Sequence, residues 1–421
     1  TRKESSAASD VYKRQLFHGL WLALVRRKEP GAEAKGDISH YQALSTALAA
    51  TIGVGNIAGV GLAIGVGGPG ALFWMWITGL VGMATKYSEA LLGVKYRTTD
   101  EKGEQAGGPM YYLRRGLPGG LGVALGGAFA VFGAIAAFGI GNGTQAEAVS
   151  SSMNDVTGID RPIIGIILMV LVAVVILGGI KSIGRFASAV VPVMIVGFIA
   201  MNLLVLIVNY DALGAAFALV FTDAFTGTSA VGGFAGAGLL LIIQTGVARG
   251  IFSNKSGLGT GAIAAASAKT NQPVRQAMVS MTQTFIDTII MVTLTAMMII
   301  VTGVWSADVA AEGDDKGVLL TSGAMNEGLS AINPALGTVG VVFIACAVAI
   351  FAYTTMLGWS YYGERCMVYL GGRKLVMPYR LVFIAVIYVG ATADIEPVWM
   401  FSDIANGLMA LPNLVGLLLL S

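Results

Sequence analysis

The feature that most constrains this chain is the recurrence, from one end to the other, of apolar runs long enough to cross a hydrocarbon layer. A layer about 30 Å thick takes roughly 20 residues of helix. Divided at Gly, Pro and charge clusters, the sequence gives ten such ranges. The first five are 42–65, 70–96, 124–150, 161–179 and 186–208, and the second five are 234–268, 276–302, 336–361, 378–393 and 398–420. Only 12% of the residues are charged, against about 25% in soluble domains, so a soluble enzyme is excluded. The expected fold is an all-α polytopic membrane protein. The 58 glycines suit such a bundle, because small residues let helices approach closely where lipid supplies no hydrophobic drive.

The remaining segments divide the chain. Residues 1–15 are polar, do not form a signal peptide and are expected to be disordered. Residues 16–41 hold a short amphipathic stretch, Leu16 to Arg27, that suits a helix lying on the membrane surface, followed by a linker. Residues 42–208 and 234–421 then carry five helices each, joined by an external connection at 209–233. Lys and Arg are enriched in cytoplasmic loops. One set of connections contains Lys95, Arg97, Lys102, Arg114, Arg115, Lys181, Arg185, Lys269, Arg275, Arg365, Arg373, Lys374 and Arg380. The opposite set has only Arg161 and Lys316, with Asp155, Asp160, Asp211, Asp223, Asp308, Asp314 and Asp315. With the basic segment Arg26 to Lys35 also inside, the first helix runs from inside to outside.

A net charge of +2 with dispersed basic residues carries no nucleic-acid footprint. Cys346 and Cys366 lack CxxC spacing, and both histidines, His18 and His40, lie near the N-terminus, so neither a zinc site nor a disulfide framework is expected.

A repeat is visible at constant offset. Asn56, Gly59 and Gly61 share the pattern N-x-x-G-x-G with Asn254, Gly257 and Gly259, 198 residues later. The same register aligns Met83 with Met281, Tyr87 with Phe285, and Glu89 with Asp287. Five helices separate the copies, so the second enters the membrane from the opposite face. An inverted repeat of this kind places a binding site at the midplane, where the first helix of each copy is interrupted.

The chemistry available there follows from the backbone. Gly53, Gly55 and Asn56 fall in the middle of the first helix, where each glycine lowers helix stability by roughly 1 kcal/mol relative to alanine. Freed N–H and C=O groups are tolerated in hydrocarbon only where protein, water or a ligand satisfies them. A zwitterion and a cation do so, the carboxylate at a half-helix N-terminus and the cation on carbonyl oxygens. Gly55 and Gly59 also form a GxxxG pair, which alone points to helix packing. On the sixth helix Arg249, Ser253, Asn254 and Lys255 put charge and polarity into an apolar stretch, a functional signal unless the two cations snorkel to the cytoplasmic side. Asp287 lies deep in the seventh helix, whereas Glu89 sits beside Lys86 and nearer the interface. Gln145 and the pair Thr354 and Thr355 add polar groups on the third and eighth helices.

The stretches Gly53-Val-Gly-Asn-Ile-Ala-Gly-Val, Gly67-Gly-Pro-Gly-Ala-Leu-Phe-Trp-Met-Trp, Gly107-Gly-Pro-Met-Tyr-Tyr-Leu, Ala248-Arg-Gly-Ile-Phe-Ser-Asn and Gly358-Trp-Ser-Tyr-Tyr-Gly-Glu resemble the alanine or glycine:cation symporter family from about Leu16 onward. The resemblance implies a leucine-transporter-type fold of five-plus-five inverted repeats with a discontinuous first helix in each. It also implies sodium-coupled uptake of small neutral amino acids. On this resemblance Val54, Gly55, Asn56, Gln145, Phe252, Ser253 and Trp359 bind the substrate, with Phe252 and Trp359 limiting side-chain volume. Ala49, Ile52, Thr354 and Thr355 hold Na+, the coupling ion. The chain departs from the family pattern in carrying Lys255 where the pattern has glutamate, and in its polar start where a further hydrophobic helix is expected. It also stops at Ser421 inside an apolar run, so the last helix is expected to be truncated.

The functional expectation is a secondary active transporter for alanine or glycine, working by alternating access as a monomer in the plasma (inner) membrane of a prokaryote. A proton-coupled or uncoupled amino-acid carrier is the alternative. A passive channel predicts a continuous polar stripe, whereas the polar residues here cluster near midplane breaks. A membrane enzyme has no His/Cys metal set and no G-x-S-x-G elbow within the spans to draw on.

Overall fold

All ten apolar ranges are helical in the structure, a computed structural model that describes residues 14–22, 25, 36–226, 235–305 and 317–420. The polar segment 1–13, the basic residues from Arg26 to Lys35, and Asp308, Asp314, Asp315 and Lys316 lie outside the described residues. Helix α1 covers 14–22. The first range divides into α2 (His40–Thr51) and α3 (Ala58–Gly67), which meet at 61° across a short break. Ser39 begins α2 with a capping box, its hydroxyl accepting from the Gln42 N–H while the Gln42 side chain accepts from the Ser39 N–H, so two orphan donors are satisfied. The remainder of the first half is α4 (Ala71–Lys95), α5 (Pro109–Gly116), α6 (Gly119–Phe138), α7 (Thr144–Thr157), α8 (Arg161–Ile176) and α9 (Gly179–Val208). A π-turn at Gly139–Gly143 joins α6 to α7 as one 39-residue span, longer at both ends than the range 124–150.

Helix α10 (Leu213–Thr226) leads to a second interrupted range, α11 (Ala235–Asn254) and α12 (Thr260–Ala266). Then come α13 (Pro273–Thr284), a π-helical stretch at Phe285–Val292, α14 (Thr293–Val301), α15 (Gly317–Ser330), α16 (Pro334–Gly371), α17 (Val376–Thr392) and α18 (Ile395–Leu420). Among the described residues, six unbroken helices and the bent α2/α3 pair are long and apolar enough to cross a membrane. The helices α5, α10 and α15 were not anticipated. They are short, and they bury only part of their apolar residues, since Phe217, Phe221, Phe225 and Leu319 remain exposed.

The surface is apolar and the interior is partly polar. Val174, Val193, Val196 and Leu418 point outward, whereas Asn56, Gln145, Asp287 and Thr355 are fully buried. This inside-out pattern belongs to a chain solvated by lipid, which cannot satisfy polar groups. Helix α4 packs along α11, α12 and α13, and α16 packs against α2, α6 and α7. The two interrupted helices are thereby enclosed.

Candidate functional site at two broken helices

Residues 52–57 leave the α-helix at mid-depth, with a single 3-10 turn at Val54–Asn56. The last carbonyls of α2 and the first N–H groups of α3 have no intrahelical partners, and their half-helix dipoles point negative and positive ends into the break. Side chains from two other helices meet these groups. Thr355 Oγ1 donates at 3.0 Å to Ala49 O and stands 3.3 Å from Ile52 O. Trp359 Nε1 donates to Ala50 O at 3.0 Å. Gln145 Oε1 accepts from the Val54 N–H at 3.2 Å, while its amide donates to Ile140 O. A Cβ on Gly53 would stand 2.5 Å from Thr355 Oγ1 and 2.9 Å from Gln145 Oε1, so the glycine is needed for this approach.

Asn56 closes the turn. Its Oδ1 accepts from the Gly53 N–H and its Nδ2 donates to Asp287 Oδ1 at 2.8 Å. Ser253 Oγ and Thr288 Oγ1 both donate to Asp287 Oδ2 at 2.9 Å. Asp287 is thus a fully buried carboxylate surrounded by donors from α3's leading turn, α11 and its own π-helical segment. That stretch, Phe285–Val292, re-aims the helix at the point where the carboxylate is needed, a frequent use of π-bulges.

The second interruption covers 255–259, so the segment 250–254 that precedes it is helical. Glu89 Oε1 accepts from the Gly257 and Gly259 N–H groups, both at 2.9 Å, and from Asn413 Nδ2 at 2.9 Å. Lys86 Nζ donates to Lys255 O at 3.0 Å and stands 3.6 Å from Glu89 Oε2. Both side chains are completely buried. Glu89 thus lies beside Lys86, as expected, and caps the second break. Arg249 precedes the break and pairs with Asp403 at 2.7 Å, and Lys255 is buried within the break.

Val54, Gly55, Asn56, Gln145, Phe252, Ser253 and Trp359 all converge on this region. Phe252 approaches the Gly55 backbone and stacks on Trp399 at 4.7 Å between ring centroids. Trp359 lies so close to Gly141 that a Cβ there would be 2.2 Å from the Trp359 Cβ. Of the four residues expected to hold Na+, Ala49, Ile52 and Thr355 come together. Thr354 does not join them, since its hydroxyl donates to Phe351 O at 3.0 Å, one turn back on its own helix. Sequence reasoning missed Trp399, Thr51 and Gln283. Trp399 carried no motif, and Gln283 reaches the Thr51 hydroxyl from α13.

Outside the Phe252/Trp399 stack a cavity of about 430 Å³ is lined by Leu62, Arg249, Trp399 and Asp403 among others. Elsewhere a small hairpin pairing Thr98–Thr99 with Gln105–Ala106 presents Asp100 and Glu104 to Arg365 and Arg373. Arg97 donates to the carbonyls of Ala266, Ala268 and Thr270 at the foot of α12.

A buried polar focus between interrupted helices, in a bundle whose outer surface suits lipid, defines an integral membrane transporter. The chain belongs to the sodium:alanine symporter family, which it matches over residues 11–421. It is 49% identical over 407 residues to the sodium/alanine symporter AgcS of Methanococcus maripaludis, covering 96% of this chain and 86% of that one. It is 33% identical to the probable sodium/glutamine symporter GlnT of Bacillus subtilis, covering 95% and 80%. In fold it is similar to MhsT in complex with L-phenylalanine, at a TM-score of 0.62 and 14% identity over 91% of this chain and 89% of that one. The manganese transporter of Eremococcus coleocola gives 0.60 and 14%, over 90% and 76%. The leucine-transporter-type fold expected from the sequence is therefore the fold of this chain. Its class is amino-acid:cation symport rather than enzymatic catalysis, and its bacterial and archaeal relatives accord with a plasma-membrane location.

Proposed function

We propose that this chain imports small neutral amino acids, alanine or glycine, together with Na+, by alternating access around the two breaks. The observation that carries the reading is the triad of oxygens from Ala49, Ile52 and Thr355, set beside the half-helix N-terminus at Val54. Hard cations take oxygen ligands, and a substrate carboxylate favours the positive end of a half-helix. The two sites share one six-residue break, so each ligand stabilises the backbone arrangement the other needs.

In this reading Val54, Gly55 and Asn56 offer main-chain groups to the zwitterion, and Gln145 and Ser253 complete its polar surroundings. Phe252 and Trp359 wall the side-chain pocket, leaving room for hydrogen or methyl. Residues 42–208 and 234–421 act as the two inverted repeats. One bundle rocks against the other, with Arg249 and Asp403 closing the outer side and Arg365 and Arg373 releasing the hairpin acids on the inner side. The relative YrbD of Bacillus subtilis, described as a putative sodium/proton-dependent alanine carrier, keeps proton coupling as the alternative.

The test is uptake of labelled alanine and glycine into proteoliposomes under an inward sodium gradient, a proton gradient or neither. Sodium alone should drive accumulation. Accumulation driven only by protons selects the alternative, and equal entry under all three conditions rejects coupled transport.

A further inference from the structure

Lys255 has the one positive φ among the described non-glycine residues, +55°. It stands just past the end of α11, in the left-handed position that helices ordinarily give to glycine because a Cβ is strained there. Its side chain is also buried, at 1% exposure. Backbone strain and desolvation of an ammonium at one residue both oppose folding, so the tip must find compensating partners.

Those partners are oxygens and a ring face. Lys255 Nζ donates to Thr51 O at 3.0 Å and lies 5.2 Å from the centre of the Phe252 ring. Thr51 is the last residue of α2, so its carbonyl is among those left free by the break and carries the negative end of the half-helix. Two residues before Lys255, Ser253 bonds the buried Asp287 carboxylate, whose two oxygens are held by Asn56, Ser253 and Thr288 rather than by the ammonium. A free carbonyl, a buried carboxylate and a neighbouring hydroxyl are the ligands a small hard cation takes. Around the two breaks the fully buried ionisable side chains are Lys86, Lys255, Glu89 and Asp287. Their charges cancel with no further ion at this position.

We infer that the Lys255 ammonium is a tethered cation, held on the free Thr51 carbonyl close in the chain to the Ser253 that bonds Asp287, at a position that would otherwise draw sodium. This position is separate from the Ala49, Ile52 and Thr355 triad, and the inference rests on the sodium-coupled reading only for the count of ions carried. The chain takes one inorganic cation fewer per turnover than the same framework would without the lysine.

The experiment is equilibrium binding of radioactive sodium to the purified full chain and to Lys255→Met, which keeps the length of the side chain and removes its charge. Saturating alanine is present, and choline holds ionic strength constant. Lys255→Met should bind one more sodium per protein than the wild type. Adding Asp287→Asn to it should weaken that extra binding at least tenfold. Equal sodium counts in the wild type and Lys255→Met overturn the inference. Should Lys255→Met aggregate in choline, its recovery as monodisperse protein in sodium supports the inference, and equal losses in both salts contradict it. A wild type that binds no sodium, with a variant that binds one, sinks the proposed coupling and leaves the tethered cation standing.

Discussion

Glu89 and Asp287, 198 residues apart in the chain, each hold the other half's broken helix. Glu89 on α4 accepts the Gly257 and Gly259 N–H groups of the second break, and Asp287 accepts from Asn56 of the first. The exchange follows from the packing, because α4 lies along α11 and α12 while α13 packs on α2. The contact of α4 with α11 and α12 is the larger-scale form of the same swap.

Removing Glu89 should be more damaging than its single position in a long helix suggests. Glu89→Ala leaves the buried Lys86 ammonium without its carboxylate, and loss of one partner from a buried pair costs about 3–5 kcal/mol. The thermal midpoint of the detergent-solubilised protein should fall by on the order of 10 °C. The double change Lys86→Met with Glu89→Gln should cost less than Glu89→Ala alone. A variant as stable as the wild type would show that the second break does not need its cap.

The two adjacent threonines of α16 should separate cleanly. Thr355→Val removes the hydroxyl that faces Ala49 and Ile52 and should raise the sodium concentration for half-maximal uptake roughly tenfold, the loss of about 1.4 kcal/mol. Thr354→Val removes a hydroxyl bonded to its own helix and should change that concentration less than twofold. Equal effects would put Thr354 in the ion site after all. The measurement is sodium-dependent alanine uptake at fixed alanine.

Gly141→Ala tests how tightly the pocket wall is placed. The added methyl would overlap Trp359, and overpacking of this kind costs roughly 1–3 kcal/mol. Trp359 must move away from Ala50 O, so alanine uptake should drop at least tenfold while the protein remains in the membrane. Unchanged uptake would mean that the Trp359 position does not set the pocket.

The pH response of the inner latch follows from two acids outside the spans. Burial alone would raise the Asp100 carboxyl, but hydrogen bonds from the Lys102 N–H, Arg373 and the Glu104 N–H outweigh it and hold it below its ordinary value. Glu104 is likewise lowered, with Arg373 and Arg365 overcoming its burial. A lowered carboxyl stabilises the fold above its unfolded value and loses that contribution as pH falls through the folded one. Asp100→Asn should therefore lower the thermal midpoint equally at pH 7 and pH 5, and the gap should close only below about pH 4. A gap that closes between pH 7 and 5 would contradict this assignment.

Much of the architecture was legible because the physics of a lipid-solvated chain is coarse. Runs of apolar residues had to be helices, and Gly53, Gly55 and Asn56 marked the first break. The second was marked by the repeat at Asn254, Gly257 and Gly259. In the structure Gly250 packs closely on Thr78 of α4, and the helix continues to Asn254. Charge was the least legible signal. Lys86, Glu89 and Lys255 resemble interfacial residues in a linear reading, and only the crossing of α4 over the second break explains their complete burial. Thr354 and Thr355 illustrate the same limit, since neighbouring positions on a helix point about 100° apart and composition cannot choose between them.

The most direct test of the whole account is alanine binding to the purified protein at equilibrium, in sodium and in potassium at equal ionic strength. Both ligands are placed in one break, so sodium should tighten alanine binding at least tenfold, and alanine must tighten sodium binding by the same factor. An alanine affinity that is identical in the two salts would contradict the claim that the interrupted first helix holds substrate and ion together.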